Sequence, residues 1–208
     1  MTLEALEAKV KDLEKKLQIY EDIEQIKKVQ QAYGYYLDNG MWNEMVDLFA
    51  EETESLEISD SGVYLGKAGA ERFFKTKLAK ATGNELPEGN INIHMQLQGY
   101  IDIDPSGKTA KGRWHCLMLK AKPLDVEIKP IIGHGYYENE YIKENGIWKF
   151  KKFHFYLRFD SSFEEGWVKS PVVRFVSGGS PDRPSTVFKP YPAQDVFPYH
   201  YKNPVTGK

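Results

Sequence analysis

Cysteine is almost missing from this chain. With Cys116 alone, no intrachain disulfide can form and a thiol–metal cluster lacks ligands. No apolar run approaches the roughly 20 residues that a membrane-spanning helix needs. The amino terminus is charged from Glu4 onward and carries no signal-like apolar stretch. No membrane partner is therefore expected, and a cytoplasmic location is. Neither sign of charge dominates, since 28 Lys and Arg stand against 30 Asp and Glu. That leaves no global field to draw nucleic acid. Basic and aromatic residues interleave at Lys149-Phe150-Lys151-Lys152-Phe153-His154, without any nucleic-acid motif beside them, so the stretch reads as half-buried strand. Glycine patterns for dinucleotide or P-loop phosphate binding are missing. So are His-Glu-x-x-His and a His-x-His pair with a downstream Glu. The expectation is an absence of both cofactor and metal.

What the chain holds in quantity is aromatic side chains, with 13 Tyr and 11 Phe in 208 residues. These fill cores and also line apolar pockets. Leu3, Leu6, Val10, Leu13, Leu17 and Tyr20 recur at alternating steps of three and four, with Glu and Lys between them. This heptad predicts a helical arm over residues 1–20, packed on its own domain or helping subunits associate. Fewer than three heptads make a weak coiled coil alone. A second apolar stripe, Ile23, Ile26, Val29, Tyr33 and Leu37, continues without a clear break to the stop signal Asn39-Gly40. Short helices are predicted over 42–50 and 67–80, and a strand over 53–59.

The remainder of the core reads as β. Strands over 92–103 and 109–121 flank Asp104-Pro105-Ser106-Gly107, and strands over 131–143 and 147–159 flank Glu144-Asn145-Gly146. Helices first and a meander after them predict an α+β fold, with helices on one face of an antiparallel sheet. From residue 161 to 208 the chain holds most of its eleven prolines and a loop-like Ser177-Gly178-Gly179-Ser180-Pro181. Phe188, Tyr191, Phe197, Tyr199 and Tyr201 are too many aromatics for a solvated linker, so this reads as an ordered extension draped over the domain or a neighbour. No second domain is expected beyond residues 21–160.

The order of elements resembles the nuclear transport factor 2-like superfamily, in particular its SnoaL-like enzymes. The resemblance is carried by Tyr33-Gly-Tyr-Tyr-Leu-Asp38, Trp42, Leu48-Phe49, Gly62-Val-Tyr-Leu-Gly66, Ile93-His94-Met95, Thr109-Ala-Lys-Gly-Arg-Trp114, Tyr137-Glu-Asn-Glu-Tyr141 and Gly146-Ile-Trp148. The pattern is similar to that of bacterial bile-acid dehydratases and, more distantly, scytalone dehydratase and hexachlorocyclohexane dehydrochlorinase. The carboxyl-terminal extension is longer than in the bile-acid enzymes. The resemblance implies a sheet curled into a cone, closed by helices around a pocket. It also implies closed oligomers and lyases or isomerases that need no cofactor.

Asp38 lies at the end of its predicted helix, where a negative charge opposes the dipole by a few tenths of a kcal/mol or more. Helix stability therefore does not explain it, although a surface or capping aspartate is an equal alternative on the residues alone. His94 interrupts an apolar strand, as a satisfied core histidine also would. The resemblance implies that Asp38 orients and charges His94, a suitable general base near its ordinary pKa of about 6.5. Tyr33 stands five residues before Asp38, about 140° around the helix, as either a core tyrosine or one wall of a pocket. The resemblance gives it a catalytic hydroxyl. Tyr137, Asn139 and Tyr141 alternate on one strand and share a face, inner or outer. Tyr137, Asn139 and Arg158 are the candidate substrate contacts, with His115, His134 and His154 behind them. The expected function is a cofactor-independent lyase, a dehydratase first, acting on a small, apolar, hydroxylated ring compound: steroid-like, polyketide-like or lignin-derived. Retro-aldol loss of formaldehyde, isomerisation, cyclisation or non-catalytic binding are the alternatives. A homotrimer is expected, with a dimer next.

Overall fold

A computed structural model describes residues 1–79, 88–124, 127–173, 179–193 and 199–208. The end of the helix expected to reach Lys80, the Ser177-Gly178 part of the loop, and Phe197 lie outside the described residues.

The two amino-terminal stripes form one 36-residue helix, α1 (Leu3–Asp38), capped by the Thr2 hydroxyl, which accepts from the Ala5 N–H. At 1.5 Å per residue it runs about 54 Å. Residues 1–21 are exposed throughout, and burial begins at Asp22. Leu3, Leu6, Val10, Leu13, Leu17 and Tyr20 are between 44% and 71% exposed, so the arm does not pack its heptad face on its own domain. Beyond it come α2 (Trp42–Asp47) and the edge hairpin β1 (Ser55–Ile58) and β2 (Val63–Leu65). Next is α3 (Gly66–Glu71), which widens into a π-helical segment, Arg72–Leu78. The wider turn lets the consecutive Phe73 and Phe74 both enter the core, each fully buried.

Four long strands follow: β3 (Ile91–Ile103), β4 (Thr109–Leu124), β5 (Glu127–Glu144) and β6 (Ile147–Ser162). The short α4 (Gly166–Lys169) follows. The sheet order is β2-β1-β6-β5-β4-β3. All neighbours are antiparallel except β1 and β6, which run parallel, so the sheet is mixed where the sequence led to an antiparallel one. The β1–β2 hairpin covers the edge of the last strand and buries Leu56 and Tyr64. Asn145 and Gly146 both take positive φ in a two-residue turn between Glu144 and Ile147, as a type I′ hairpin requires.

Cross-strand pairs define two faces. Trp114, Cys116 and Met118 of β4 face inward with Tyr137 and Tyr141 of β5 and Phe150, Phe153 and Phe155 of β6, beneath α1 and the aromatic π segment. The carboxyl-terminal extension crosses the outer face. Thr186 donates to Glu57 on β1, Tyr191 N–H donates to the Arg158 carbonyl on β6, and His200 meets Glu138 on β5 (3.0 Å). Tyr201 then stacks on Tyr100 of β3 at 3.6 Å. The described part of the extension thus packs on its own domain. Among the described residues, no helix is long and apolar enough to cross a membrane.

Candidate active site

One stripe of α1 builds the site. Gln30, Gly34 and Asp38 are spaced by four and face β3 together. Gln30 donates to the Gln96 side chain at 2.7 Å. At Gly34 the helix touches the strand: a Cβ there would come within 2.9 Å of the His94 carbonyl and 3.2 Å of Gln96 Cγ. One turn later Asp38 reaches His94. Its Oδ1 lies 2.8 Å from His94 Nδ1, and its Oδ2 accepts the His94 backbone N–H at 3.3 Å. Both carboxylate oxygens thus hold one residue, which fixes the ring as well as its charge. Gln96 donates to the His94 carbonyl (3.0 Å) and pins the strand from the other side.

The two side chains are mostly covered, His94 at 12% and Asp38 at 18% exposure. Burial lowers the His94 pKa. The hydrogen bond that Nδ1–H donates to Asp38 raises it, the charges of Lys120 and Lys122 lower it, and the net direction is down. The imidazole is therefore neutral at neutral pH. With Nδ1–H pointed at Asp38, its lone pair lies on Nε2.

Tyr33 is 1% exposed and points into the aromatic core, its ring centroid 4.6 Å from Phe153 and 5.6 Å from Tyr137. Burial pushes its phenol far above the usual range, against a hydrogen bond with Tyr137, and does the same to Tyr137. Tyr137 donates to Cys116 Sγ at 3.7 Å. Burial raises that thiol to about 12, so it is no nucleophile. Asn139 faces inward, but its side chain donates to Gln30 (2.9 Å) and accepts from the His154 N–H (3.1 Å). Tyr141 also donates to Gln30, at 2.8 Å, and accepts from the Trp114 indole. Asn139 and Tyr141 therefore position Gln30, which holds Gln96.

Arg158 is not brought to the dyad. Its guanidinium donates to the Ala193 carbonyl of the extension, 3.0 Å away. His115 and His134 meet each other at 2.9 Å on the outer face, and His154 stacks there on Tyr156. Burial lowers His134 to about 4 and His154 to about 3. Among the described residues, no three His, Cys, Asp or Glu side chains converge to hold a metal ion. Gln30 and Gln96 escape the sequence reading, and Gly34 enters it only as part of the stretch Tyr33–Asp38. The one signal available for them was a glycine inside a helix, which costs about 1 kcal/mol against alanine and asks for a packing reason.

Among solved structures, the fold is similar to a hexachlorocyclohexane dehydrochlorinase of type 3 from Novosphingobium barchaimii. The two share 15% identity over 71% of this chain and 94% of that one, with a TM-score of 0.58. A scytalone dehydratase-like protein from Novosphingobium aromaticivorans shares 18% identity over 70% and 90% of the two chains, at a TM-score of 0.54. An NTF2-like protein with a cystatin-like fold from the same organism gives 16% identity over 71% and 88%, also at 0.54. These likenesses are of fold. The family model for the SnoaL-like domain matches residues 18–154, which takes in α1 from the end of its arm, β1 to β5 and the first half of β6, and the chain belongs to that family.

Proposed function

We propose that the protein is a cofactor-independent lyase, whose first reaction is dehydration of a small hydroxylated ring compound. One observation carries the reading: a neutral, largely buried imidazole whose Nδ1 is held by a carboxylate at 2.8 Å. Such a group has Nε2 available as a base, and Asp38 stabilises the imidazolium that forms. In an elimination, Nε2 takes a proton from carbon next to a carbonyl, enone or aryl group. The C–H electron pair becomes the new double bond, and the hydroxyl leaves with a proton from a neutral phenol, for which Tyr33 is the candidate. The aromatic inner face suits an apolar substrate. The similar folds of a scytalone dehydratase-like protein and a dehydrochlorinase support elimination over other proton-transfer reactions. Retro-aldol cleavage, isomerisation and cyclisation begin or end with the same proton transfer and form the second choice.

Hydroxylated steroids and lignin-derived diols, screened for the ultraviolet change of a newly conjugated product, test this reading. The expected outcome is turnover by the native protein without added metal or cofactor, lost in His94→Ala. Turnover of a screened compound that proceeds equally well in His94→Ala would remove the reading. We further propose that the exposed heptad of α1 joins copies of the chain into a homotrimer, with a dimer next.

A further inference from the structure

We propose that Lys120, anchored by Asp160, is a fixed cation of the site that stabilises a negatively charged oxygen on the substrate, an enolate or phenolate, as His94 withdraws the proton. The inference rests on the proposed lyase reading and names its substrate class: a ring compound whose activating group is an oxygen able to carry charge.

The sheet register places the groups. His94 pairs with Met118, and Lys120 is the next inward-facing residue of β4, opposite Asn92. Lys120 and His94 are thus diagonal neighbours on one face, with Cβ atoms roughly 7–8 Å apart by ordinary sheet geometry. The lysine is close enough for its charge to act on His94, whose pKa it lowers. The lysine side chain crosses β5 to reach Asp160 Oδ1 on β6 at 2.5 Å, both side chains being 9% exposed. It passes over Gly133, where a Cβ would stand 2.7 Å from Asp160 Oδ1 and 2.6 Å from Met118 Cε. The strand gives up a side chain at the point where the pair must lie.

Stability does not explain this arrangement. A buried ion pair is often no better for folding than two well-packed apolar residues. Asp160 takes one of the three ammonium N–H donors, which leaves donors to serve an oxyanion. A second observation marks the His94 side of the same inner face as a place for a polar ligand atom. Asn92, across from Lys120, donates its Nδ2 to the Leu37 carbonyl at 3.2 Å, but its buried Oδ1 has no hydrogen-bond partner. A substrate hydroxyl would satisfy it. In the reaction the C–H pair forms a carbon–carbon double bond as the C=O π pair moves onto the oxygen held by Lys120; the oxygen pair then re-forms C=O and the leaving group, protonated as it departs, is expelled. No electron or atom is needed from elsewhere.

An equilibrium probe tests the cation apart from turnover. 4-Nitrophenol, titrated by its phenolate absorbance with and without the full-length protein, should ionise about one pH unit or more lower when bound, as an acid does beside a fixed cation. The other charged or titratable groups facing the position are Asp38 and Tyr33 from α1, His94 from β3, Cys116 and Lys122 from β4, Tyr137 from β5 and Asp160 from β6. The shift should therefore survive in His94→Ala and vanish in Lys120→Met. Because that variant leaves Asp160 buried and unpaired, Lys120→Met/Asp160→Leu is the folded companion that lacks both charges, and it too should lose the shift. A bound phenol that ionises alike in native and doubly substituted protein, or a native protein that does not bind the probe at millimolar concentration, overturns the proposal. For any substrate turned over, kcat should fall about 100-fold in the double variant with KM little changed. Turnover untouched by the double substitution leaves the lyase and removes the lysine's role. A Lys120-dependent shift without any turnover does the reverse.

Discussion

His94→Ala deletes the base, and general-base catalysis contributes about 10²–10⁴-fold, so activity on a true substrate should fall by that order. Asp38→Asn keeps the volume but loses the charge and can present the wrong donor to Nδ1, so its loss should approach that of His94→Ala. If the two act as one unit, the double variant should be little worse than the worse single one. Two well-folded single variants with near-native rates would end the dyad hypothesis; circular dichroism and melting temperature establish the folding. Tyr33→Phe should cost less and vary with the substrate. The pH profile carries a sign. Since burial holds the His94 pKa below 6.5, activity should stay level through neutral pH and fall only below 6.5, as the imidazole takes its proton. Activity that instead declines on passing down from pH 8 to 7 would exclude His94 as the titrating base.

At the scale of elements, contact between α1 and β3 decides where Asp38 goes. Gly34→Ala should gain up to about 1 kcal/mol in helix propensity. A Cβ 2.9 Å from the His94 carbonyl is overpacked against backbone, which costs typically 1–3 kcal/mol, so destabilisation should win. A lower melting temperature together with lower kcat is expected; a variant more stable than the native protein would mean that the helix can lift off the strand freely. This contact also shows what the sequence could and could not reveal. Asp38 and His94 are legible because each breaks a local rule, a negative charge at a helix carboxyl end and a polar ring in an apolar strand. Gln30 and Gln96 break none, and their partnership spans 66 residues. The strand Val63–Leu65 is three residues long and is held by β1 on one side and by Arg183 of the extension on the other. Arg158 could not be placed by counting in twos. Leu157 and Asp160 both pair with inward glycines, Gly135 and Gly133, so the bulge between them breaks the alternation. The arm was legible as a heptad, but its exposure was not. Removing residues 1–20 should leave the melting transition nearly unchanged, since all of them are exposed, and should reduce the mass in light scattering. A native chain already monomeric at micromolar concentration would defeat the proposed trimer and leave the dyad untouched.

For the whole molecule, the five histidines give acid a common direction of attack. Burial lowers the pKa of His94, His115, His134, His154 and His200 alike, to about 4 for His134 and about 3 for His154. In the unfolded chain each would titrate near 6.5. Between those values the unfolded state binds more protons than the folded one, so stability is complete above pH 6.5 and drains away as pH falls toward 3. Carboxylates, with ordinary values near 4, cannot account for a loss that begins at 6. Four of these histidines lie away from the dyad, and His154 and His200 sit under or within the carboxyl-terminal extension, beside Glu57 and Glu138. Their protonation therefore loosens the molecule through its outer face while His94 loses its role as base on the inner one. Urea unfolding at pH 7 and pH 5 should show a lower midpoint at pH 5 with an unchanged slope. Replacing His134 and His154 together by glutamine should flatten that pH dependence, while the acid fall in activity, which belongs to His94, stays where it was. If the midpoint is the same at both pH values in the native protein, the buried histidines are not neutral in the fold, and the assignment of His94 as a neutral base loses its support as well.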